Sequence, residues 1–134
     1  MNLFDFIPEN LFSILSSKNK RIYIDTLFVI RDCFKKEMAM PKEQVIIAIQ
    51  SKLEDELLQV ENENEDEEKI ENSLSAKVHY ILRRLKSAEW IDIETQSNNF
   101  EEDIVLPDYS IDIIDLLYSL TANLFVSLFH FKNL

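Results

Sequence analysis

The fold is decided by residues 74–110, which read LSAKVHYILRRLKSAEWIDIETQSNNFEEDIVLPDYS. Apolar side chains recur at helical spacing over residues 75–89, and Trp90 follows that helix directly. Two short alternating segments, 91–95 and 100–106, come next and predict a β-hairpin. A proline then introduces another helix. Helix, aromatic residue, hairpin and helix in this order predict a winged-helix domain.

The turn of the predicted hairpin lacks glycine, and Asn98 and Asn99 stand where a tight turn usually has one. Asparagine tolerates a positive φ angle better than other non-glycine residues do. We therefore predict that Asn98 and Asn99 take the left-handed positions of this turn.

Apolar residues at helical spacing predict three helices upstream of this stretch. A short helix begins at Pro8, a second covers about 21–38 and a third covers about 41–58. Their inward faces are predicted to be Leu11, Phe12 and Leu15; Tyr23, Leu27, Ile30 and Phe34; and Val45, Ile49, Leu53 and Leu57. The predicted fold class is therefore mainly α with a small β-hairpin, a winged-helix domain with flanking N- and C-terminal helices.

The net charge of −11 is concentrated in one part of the chain. Residues 54–71 hold ten acidic side chains and one lysine, which accounts for −9 of that charge. The centre of this run, ENENEDEE at 61–68, predicts a solvated and mobile acidic loop at about residues 59–73. Calcium-binding loops need a glycine turn and spaced ligands, and this run has neither.

The predicted helix over 75–89 has two chemically different faces. Its inward face is predicted to be Val78, Ile81, Leu82 and Leu85. The opposite arc carries Lys77, His79, Tyr80, Arg83, Arg84 and Lys86. The recognition helix of a helix-turn-helix protein lies in the major groove of DNA. The candidate DNA contacts are therefore the four long cations of this arc, the basic face: Lys77, Arg83, Arg84 and Lys86.

The charge of the wing argues against the alternative function, a sequence-specific winged-helix DNA-binding regulator. Residues 91–108 contain six acidic side chains and no Lys or Arg. Acidic side chains repel DNA phosphates, and the acidic loop adds to this repulsion at low salt. We therefore predict that any DNA contact is weak and non-specific, and that the arginines of the basic face pair with neighbouring acids.

Composition excludes several classes of function. The chain has no glycine, so glycine-rich phosphate loops and dinucleotide fingerprints are ruled out. Its single cysteine cannot form an internal disulfide, and neither histidine has a Cys or carboxylate at metal-ligand spacing. We therefore predict no enzyme activity, no cofactor and no metal site. The N-terminus lacks the basic region of a signal peptide, which predicts a cytoplasmic location.

The C-terminal residues, 111–134, predict a strongly apolar helix. Residues 116–131 carry no formal charge, but these 16 residues are fewer than the about 20 that a membrane span needs, so no membrane is expected. Such a wide apolar face needs a partner, either the chain's own domain or a second chain. The candidate partner-binding residues are Leu117, Leu120, Leu124, Phe125 and Leu128. We predict a winged-helix domain over 1–110 and the start of a helical region at 111–134.

Several segments resemble the JetA proteins of Wadjet anti-plasmid systems. Two lie near the N-terminus, LFDFIPENLFSIL at 3–15 and SKNKRIYID at 17–25. Three lie further on, AKVHYILRRL at 76–85, EWID at 89–92 and LPDY at 106–109. They occur in the order that the family has them, so the resemblance extends over about residues 1–120.

The resemblance implies a kleisin-like subunit, similar to MukF, of a condensin-like SMC complex that defends against plasmid DNA. In such complexes an SMC ATPase is the motor, a MukE-like subunit binds the kleisin and a separate subunit is the nuclease. The kleisin is not itself an enzyme. Its N-terminal winged helix is associated with homodimerisation, and the following helices with the SMC neck. The expected partners are therefore a second copy of this chain, an SMC ATPase and a MukE-like subunit.

The candidate dimer interface is the apolar N-terminal segment, Leu3, Phe4, Phe6, Leu11 and Phe12, with the final helix as a second candidate. The chain departs from the family in two ways. Family members are several times longer, and residues 124–131 are more apolar than the family's sequence at this point. The resemblance therefore implies a truncated product or an isolated domain, which alone would not close a ring.

Overall fold

The computed structural model describes residues 1–34 and 39–132, with side chains as far as residue 122. Two 3₁₀ helices come first, Leu3–Asp5 and Leu11–Ser16. The α-helices are α1 (Lys20–Cys33), α2 (Lys42–Lys52), α3 (Glu54–Leu57), α4 (Leu74–Ser87) and α5 (Asp108–Lys132). The strands are β1 (Ala39–Pro41), β2 (Asp92–Thr95) and β3 (Glu102–Val105). This arrangement confirms the predicted mainly α, winged-helix fold.

The wing is a three-stranded antiparallel sheet in the order β1–β3–β2. The predicted hairpin is β2 with β3, and it pairs Ile93 with Ile104. Strand β1 was not expected, and it pairs with the other side of β3, where Met40 lies opposite Ile104. The helix predicted over 21–38 ends at Cys33, and the predicted part at 35–38 lies outside the described residues.

The apolar faces predicted for the longer helices form the core. Four residues at helical spacing from α2 onward are buried, Val45, Ile49, Leu53 and Leu57, as is the inward face of α4, Val78, Ile81, Leu82 and Leu85. The third predicted helix is not continuous, because the backbone at Leu53 leaves the helical conformation and separates α2 from α3. All four predicted core residues are buried on both sides of this break. The core-facing residues were therefore predicted correctly, whereas the single continuous helix was not.

Trp90 joins the wing to the N-terminal segment. Its side chain is fully buried, and its Nε1 donates a hydrogen bond of 2.6 Å to the carbonyl oxygen of Leu11. Leu11 and Ile14 are buried beside it, whereas Phe12 and Leu15 are exposed. The predicted inward face of the first helix is confirmed at Leu11 and wrong at Phe12 and Leu15, because this segment is a 3₁₀ helix with about three residues per turn that buries Leu11 and Ile14.

Among the residues that the structure describes, the left-handed ones are Glu89, with a φ of 68°, and Phe100, with a φ of 59°. The prediction for Asn98 and Asn99 is therefore wrong. The hairpin loop is longer than a two-residue turn: Phe100 N donates to Gln96 O at 3.1 Å, and the last loop residue takes the left-handed position.

Glu89 ends α4 in a Schellman motif. Its backbone N donates to Lys86 O at 2.9 Å, and Trp90 N donates to Leu85 O at 2.9 Å. Trp90 and Leu85 are both buried, which is the hydrophobic contact that accompanies this motif. Glycine is the usual residue at this position because the left-handed conformation crowds a Cβ atom.

Replacing Glu89 with glycine is therefore expected to stabilise the fold by about 0.5–1 kcal/mol, since relief of the left-handed strain exceeds the added entropy of the unfolded chain. Urea unfolding followed by Trp90 fluorescence measures this change. The matched control is Ser87→Gly, at the last right-handed residue of α4, which should lower stability by about 0.5 kcal/mol. A Glu89→Gly protein less stable than the parent would contradict the strain argument.

Candidate functional site

Large apolar side chains lie exposed in the N-terminal segment. The exposed fractions are 57% for Leu3, 46% for Phe4, 63% for Phe6 and 39% for Phe12. Leu11, the fifth predicted interface residue, is fully buried, so its place in the candidate dimer interface is corrected: it packs inside its own chain, beside Trp90. Leu15, predicted to face inward, is 41% exposed. We call Leu3, Phe4, Phe6, Phe12 and Leu15 the N-terminal apolar patch.

The backbone that carries this patch is held in place. Asn2 caps the first 3₁₀ helix: its Oδ1 accepts from Phe4 N at 2.9 Å, and its own N donates to Asp5 Oδ2 at 3.2 Å. Ile7 and Ile14 are buried in the core. The exposed aromatic rings therefore project from a folded segment.

Two of the four cations of the basic face contact the acidic loop. Arg84 Nε lies 2.6 Å from Glu63 Oε2, and Lys77 Nζ donates to Val60 O at 2.5 Å. Arg83 and Lys86 are exposed and form no ion pair with any residue that the structure describes. The structure therefore divides the basic face into two engaged and two exposed cations.

Tyr80 lies inside the domain, which corrects its predicted position on the outward arc. Its side chain is 5% exposed. The hydroxyl accepts a hydrogen bond from Glu63 N at 3.1 Å and donates one to Glu67 Oε2 at 2.8 Å. Burial raises the pKa of Tyr80, so the hydroxyl stays protonated and able to donate at neutral pH.

The acidic loop is exposed along much of its length, and its start is docked on the domain, which the sequence did not predict. Asn19 is buried, donates from Nδ2 to Glu61 O at 2.7 Å and accepts from Glu61 N at 3.1 Å. Ser17 Oγ donates to Glu63 Oε1. The tip of the loop, with Glu65 and Asp66, is exposed. The loop is therefore attached to the start of α1 and to α4.

A cleft of about 540 Å³ lies between the acidic loop and α4, with His79, Arg83 and Arg84 among its lining residues. Burial lowers the pKa of His79, and the nearby charges of Lys42 and Arg83 lower it further, which favours the neutral imidazole. Among the side chains that the structure describes, in residues 1–34 and 39–122, no group of His, Cys, Asp or Glu is arranged to hold a metal ion. The cleft is therefore lined by charged side chains of both signs, among them Glu67, Glu68, Arg83 and Arg84.

The start of α5 is attached to α1 by Arg31. Its Nε donates to Asp115 Oδ1 at 2.6 Å, and its guanidinium lies 4.2 Å from the centre of the Tyr118 ring. Phe28 packs edge-on against the same ring, with 5.4 Å between centroids. The sequence did not predict this junction, because no short-range pattern links Arg31 to residues of α5, which begins far along the chain.

The candidate partner-binding residues fall in different settings along α5. Leu117 is half-buried against the core, and Leu120 is 56% exposed. The side chains of the remaining three lie outside the described residues: Leu124, Phe125 and Leu128. Among the helices the structure describes, none combines the length and the apolar character needed to cross a membrane.

Known proteins match this chain over most of its length. A family model described as Wadjet protein JetA matches residues 29–128. The Wadjet protein JetA of Bacillus cereus (strain Q1) is 35% identical over 127 residues, which cover 90% of this chain and 27% of that relative. The chain thus spans about a quarter of the relative's length, and no solved structure matches. Because the matched residues include α2, α4 and the whole wing, the predicted resemblance is confirmed and the chain belongs to the Wadjet protein JetA family.

Proposed function

We propose that this chain is a non-catalytic assembly module of a Wadjet-type system that defends against plasmid DNA. In this proposal it is the N-terminal winged-helix part of a kleisin-like, MukF-like subunit, which forms a homodimer in the cytoplasm and binds an SMC ATPase and a MukE-like subunit. Membership of the JetA family supports the Wadjet role. The observation that carries the assembly role is the N-terminal apolar patch.

The patch has the chemistry of a protein interface. Phe4, Phe6 and Phe12 present aromatic rings to solvent, and aromatic side chains supply large contact areas with few rotatable bonds. The Asn2 cap and the buried Ile7 and Ile14 hold their backbone, which lowers the entropy cost of forming an interface. A second copy of the chain presents the same patch, as a two-fold symmetric dimer requires.

The start of α5 supports the SMC-binding part of the proposal. Arg31 holds the first turns of the helix against α1 through Asp115 and Tyr118. Leu120 follows Tyr118 by about half a turn of the helix and is exposed. An anchored helix with an apolar outer surface is suited to pack against helices of a partner, such as the neck of an SMC subunit.

The charges weigh against the alternative, a sequence-specific DNA-binding regulator. Arg84 and Lys77 are engaged by the acidic loop, which leaves two exposed cations on α4 for base contacts. Strand β2 has exposed carboxylates at Asp92 and Glu94, and such a wing repels DNA phosphates.

The mass of the chain in solution tests the dimer. We expect the parent protein to have the mass of a dimer by light scattering, and Phe6→Glu with Phe12→Glu to give a monomer with a native circular dichroism spectrum. Buried glutamates would lose hydration without gaining a partner, so the interface should not form. Phe6→Glu alone is included because Phe12 also packs edge-on against Trp90.

The matched control is Phe100→Glu, which introduces the same charge at the 83% exposed tip of the wing. It should remain a dimer. A parent protein that is monomeric at about 100 μM, or a Phe6→Glu protein that stays dimeric, would overturn this interface. Tight binding to one of several unrelated DNA duplexes that persists at physiological salt would favour the regulator instead.

A further inference from the structure

The acidic loop occupies part of the basic face in the way an anionic ligand would. Glu63 places a carboxylate oxygen 2.6 Å from Arg84 Nε, and the Val60 carbonyl accepts from Lys77 Nζ at 2.5 Å. A carboxylate and a DNA phosphate are both anions that pair with the guanidinium of an arginine. The loop therefore engages cations on α4 that a phosphate would otherwise engage.

The contact between Glu63 and Arg84 is shielded from solvent. The Glu63 side chain is 12% exposed and the Arg84 side chain 35% exposed, so salt screens this pair less than it screens a surface pair. Ser17 Oγ also donates to Glu63, and Tyr80 accepts from the Glu63 backbone N. Glu67 is held by the Tyr80 hydroxyl at 2.8 Å. These contacts place Glu63 and Glu67 on α4, whereas Glu65 and Asp66 remain exposed at the loop tip.

We propose that the acidic loop is an internal competitor for the basic face of α4, and that the face released from it binds the phosphate backbone of duplex DNA without sequence preference. Release of the loop from α4 would free Arg84 and Lys77 to contact DNA together with the exposed Arg83 and Lys86. A row of long cations on one helix neutralises phosphates and reads no bases. This inference goes beyond the assembly role and does not depend on dimerisation.

Two variants with the same net charge distinguish release of the acidic loop from α4 from a general effect of net charge on DNA binding. Glu63→Gln with Glu67→Gln removes the two carboxylates that contact α4, and Glu65→Gln with Asp66→Asn removes two that do not. Both pairs change the net charge by the same amount. Fluorescence anisotropy with unrelated duplexes of about 30 base pairs, at about 50 mM salt, measures the affinity of each protein for DNA.

We expect the Glu63/Glu67 variant to bind every duplex about tenfold more tightly than the parent, and the Glu65/Asp66 variant to change affinity by about twofold or less. The slope of log affinity against log salt should be steeper by about two in the Glu63/Glu67 variant, because two further cations meet phosphates. Adding Arg84→Ala to the Glu63/Glu67 variant should abolish most of its gain in DNA affinity. Equal effects of the two charge-matched variants, or no DNA binding by the released variant, would overturn the proposal.

Hydrogen exchange in the parent protein gives a second measurement that needs no substitution. The Glu61 and Glu63 amides are hydrogen-bonded to Asn19 and Tyr80, so they should be protected in the free protein. Saturating DNA at low salt should speed their exchange, since the loop must leave α4. If these amides stay protected while DNA is bound, the loop is no competitor. Light scattering on the same samples measures the mass of the particle and so tests the dimer separately. Either proposal can therefore fail while the other holds.

Discussion

Replacing Trp90 with alanine is expected to lower the free energy of unfolding by about 3–5 kcal/mol, the usual cost of truncating a buried aromatic side chain. Trp90 is fully buried between the wing and the N-terminal segment. Its Nε1 donates to Leu11 O at 2.6 Å, so truncation also leaves that carbonyl without its donor. Since small domains are stable by about 5–15 kcal/mol, one substitution removes a large part of the total.

Thermal and urea unfolding followed by circular dichroism measure this loss, because the variant no longer contains tryptophan. Trp90→Phe separates packing from hydrogen bonding: it keeps an aromatic ring, loses the Nε1 donor and should cost about 1–2 kcal/mol. Phe100→Ala is the control for losing an aromatic side chain, and as the ring is 83% exposed it should change stability by less than about 0.5 kcal/mol. A Trp90→Ala protein as stable as the Phe100→Ala protein would show that Trp90 does not join the two segments.

Raising the pH from 10 to 12 is expected to remove about 2 kcal/mol of stability through Tyr23. Burial raises the pKa of Tyr23 from 10.0 to about 12. The unfolded chain therefore releases this proton at a lower pH than the folded chain does. Stability from the neutral hydroxyl is fully present below pH 10 and is lost as the pH rises through the folded pKa.

The comparison that isolates Tyr23 is Tyr23→Phe, which keeps the buried ring and cannot ionise. Urea unfolding followed by Trp90 fluorescence at pH 8, 10 and 11 measures the free energy of unfolding of both proteins. Tyr80 and Tyr109, whose pKa values are also raised by burial, titrate alike in both. The parent should therefore lose more stability than the Tyr23→Phe protein between pH 10 and 11. Parallel losses would mean that the Tyr23 hydroxyl ionises freely in the folded chain.

The helix faces and the hairpin were predictable because they depend on short periods in the chain. The spacing of Val78, Ile81 and Leu85 places them on one side of a helix whatever it packs against. Ile93 alternates with charged neighbours and pairs with Ile104, as the period of two predicts. Strand β1 was missed because a three-residue strand has no measurable period, and only its pairing with β3 identifies it.

The candidate surfaces were predictable only in part. The exposed aromatic rings of Phe4 and Phe6 were expected, since they stand in a short apolar segment ahead of the first long helix. Leu15 was expected to face inward and is exposed, whereas Leu11 is buried and cannot belong to the interface, because the chain there forms a 3₁₀ helix that turns Leu11 toward Trp90. The arginines of the basic face were expected to pair with neighbouring acids, and Arg84 does so with Glu63.

The sequence by itself determined the order of the long helices and of the β2–β3 hairpin, the inward faces of the long helices and the separation of acidic from basic segments, because each depends on residues a few positions apart. Only the tertiary structure decided which distant residues meet. Trp90 and Leu11 are 79 positions apart, and Arg31 and Asp115 are 84 apart. Contacts at such separations follow from how the whole core packs, and so does the docking of the acidic loop beside α1, where Asn19 and Glu61 are 42 positions apart.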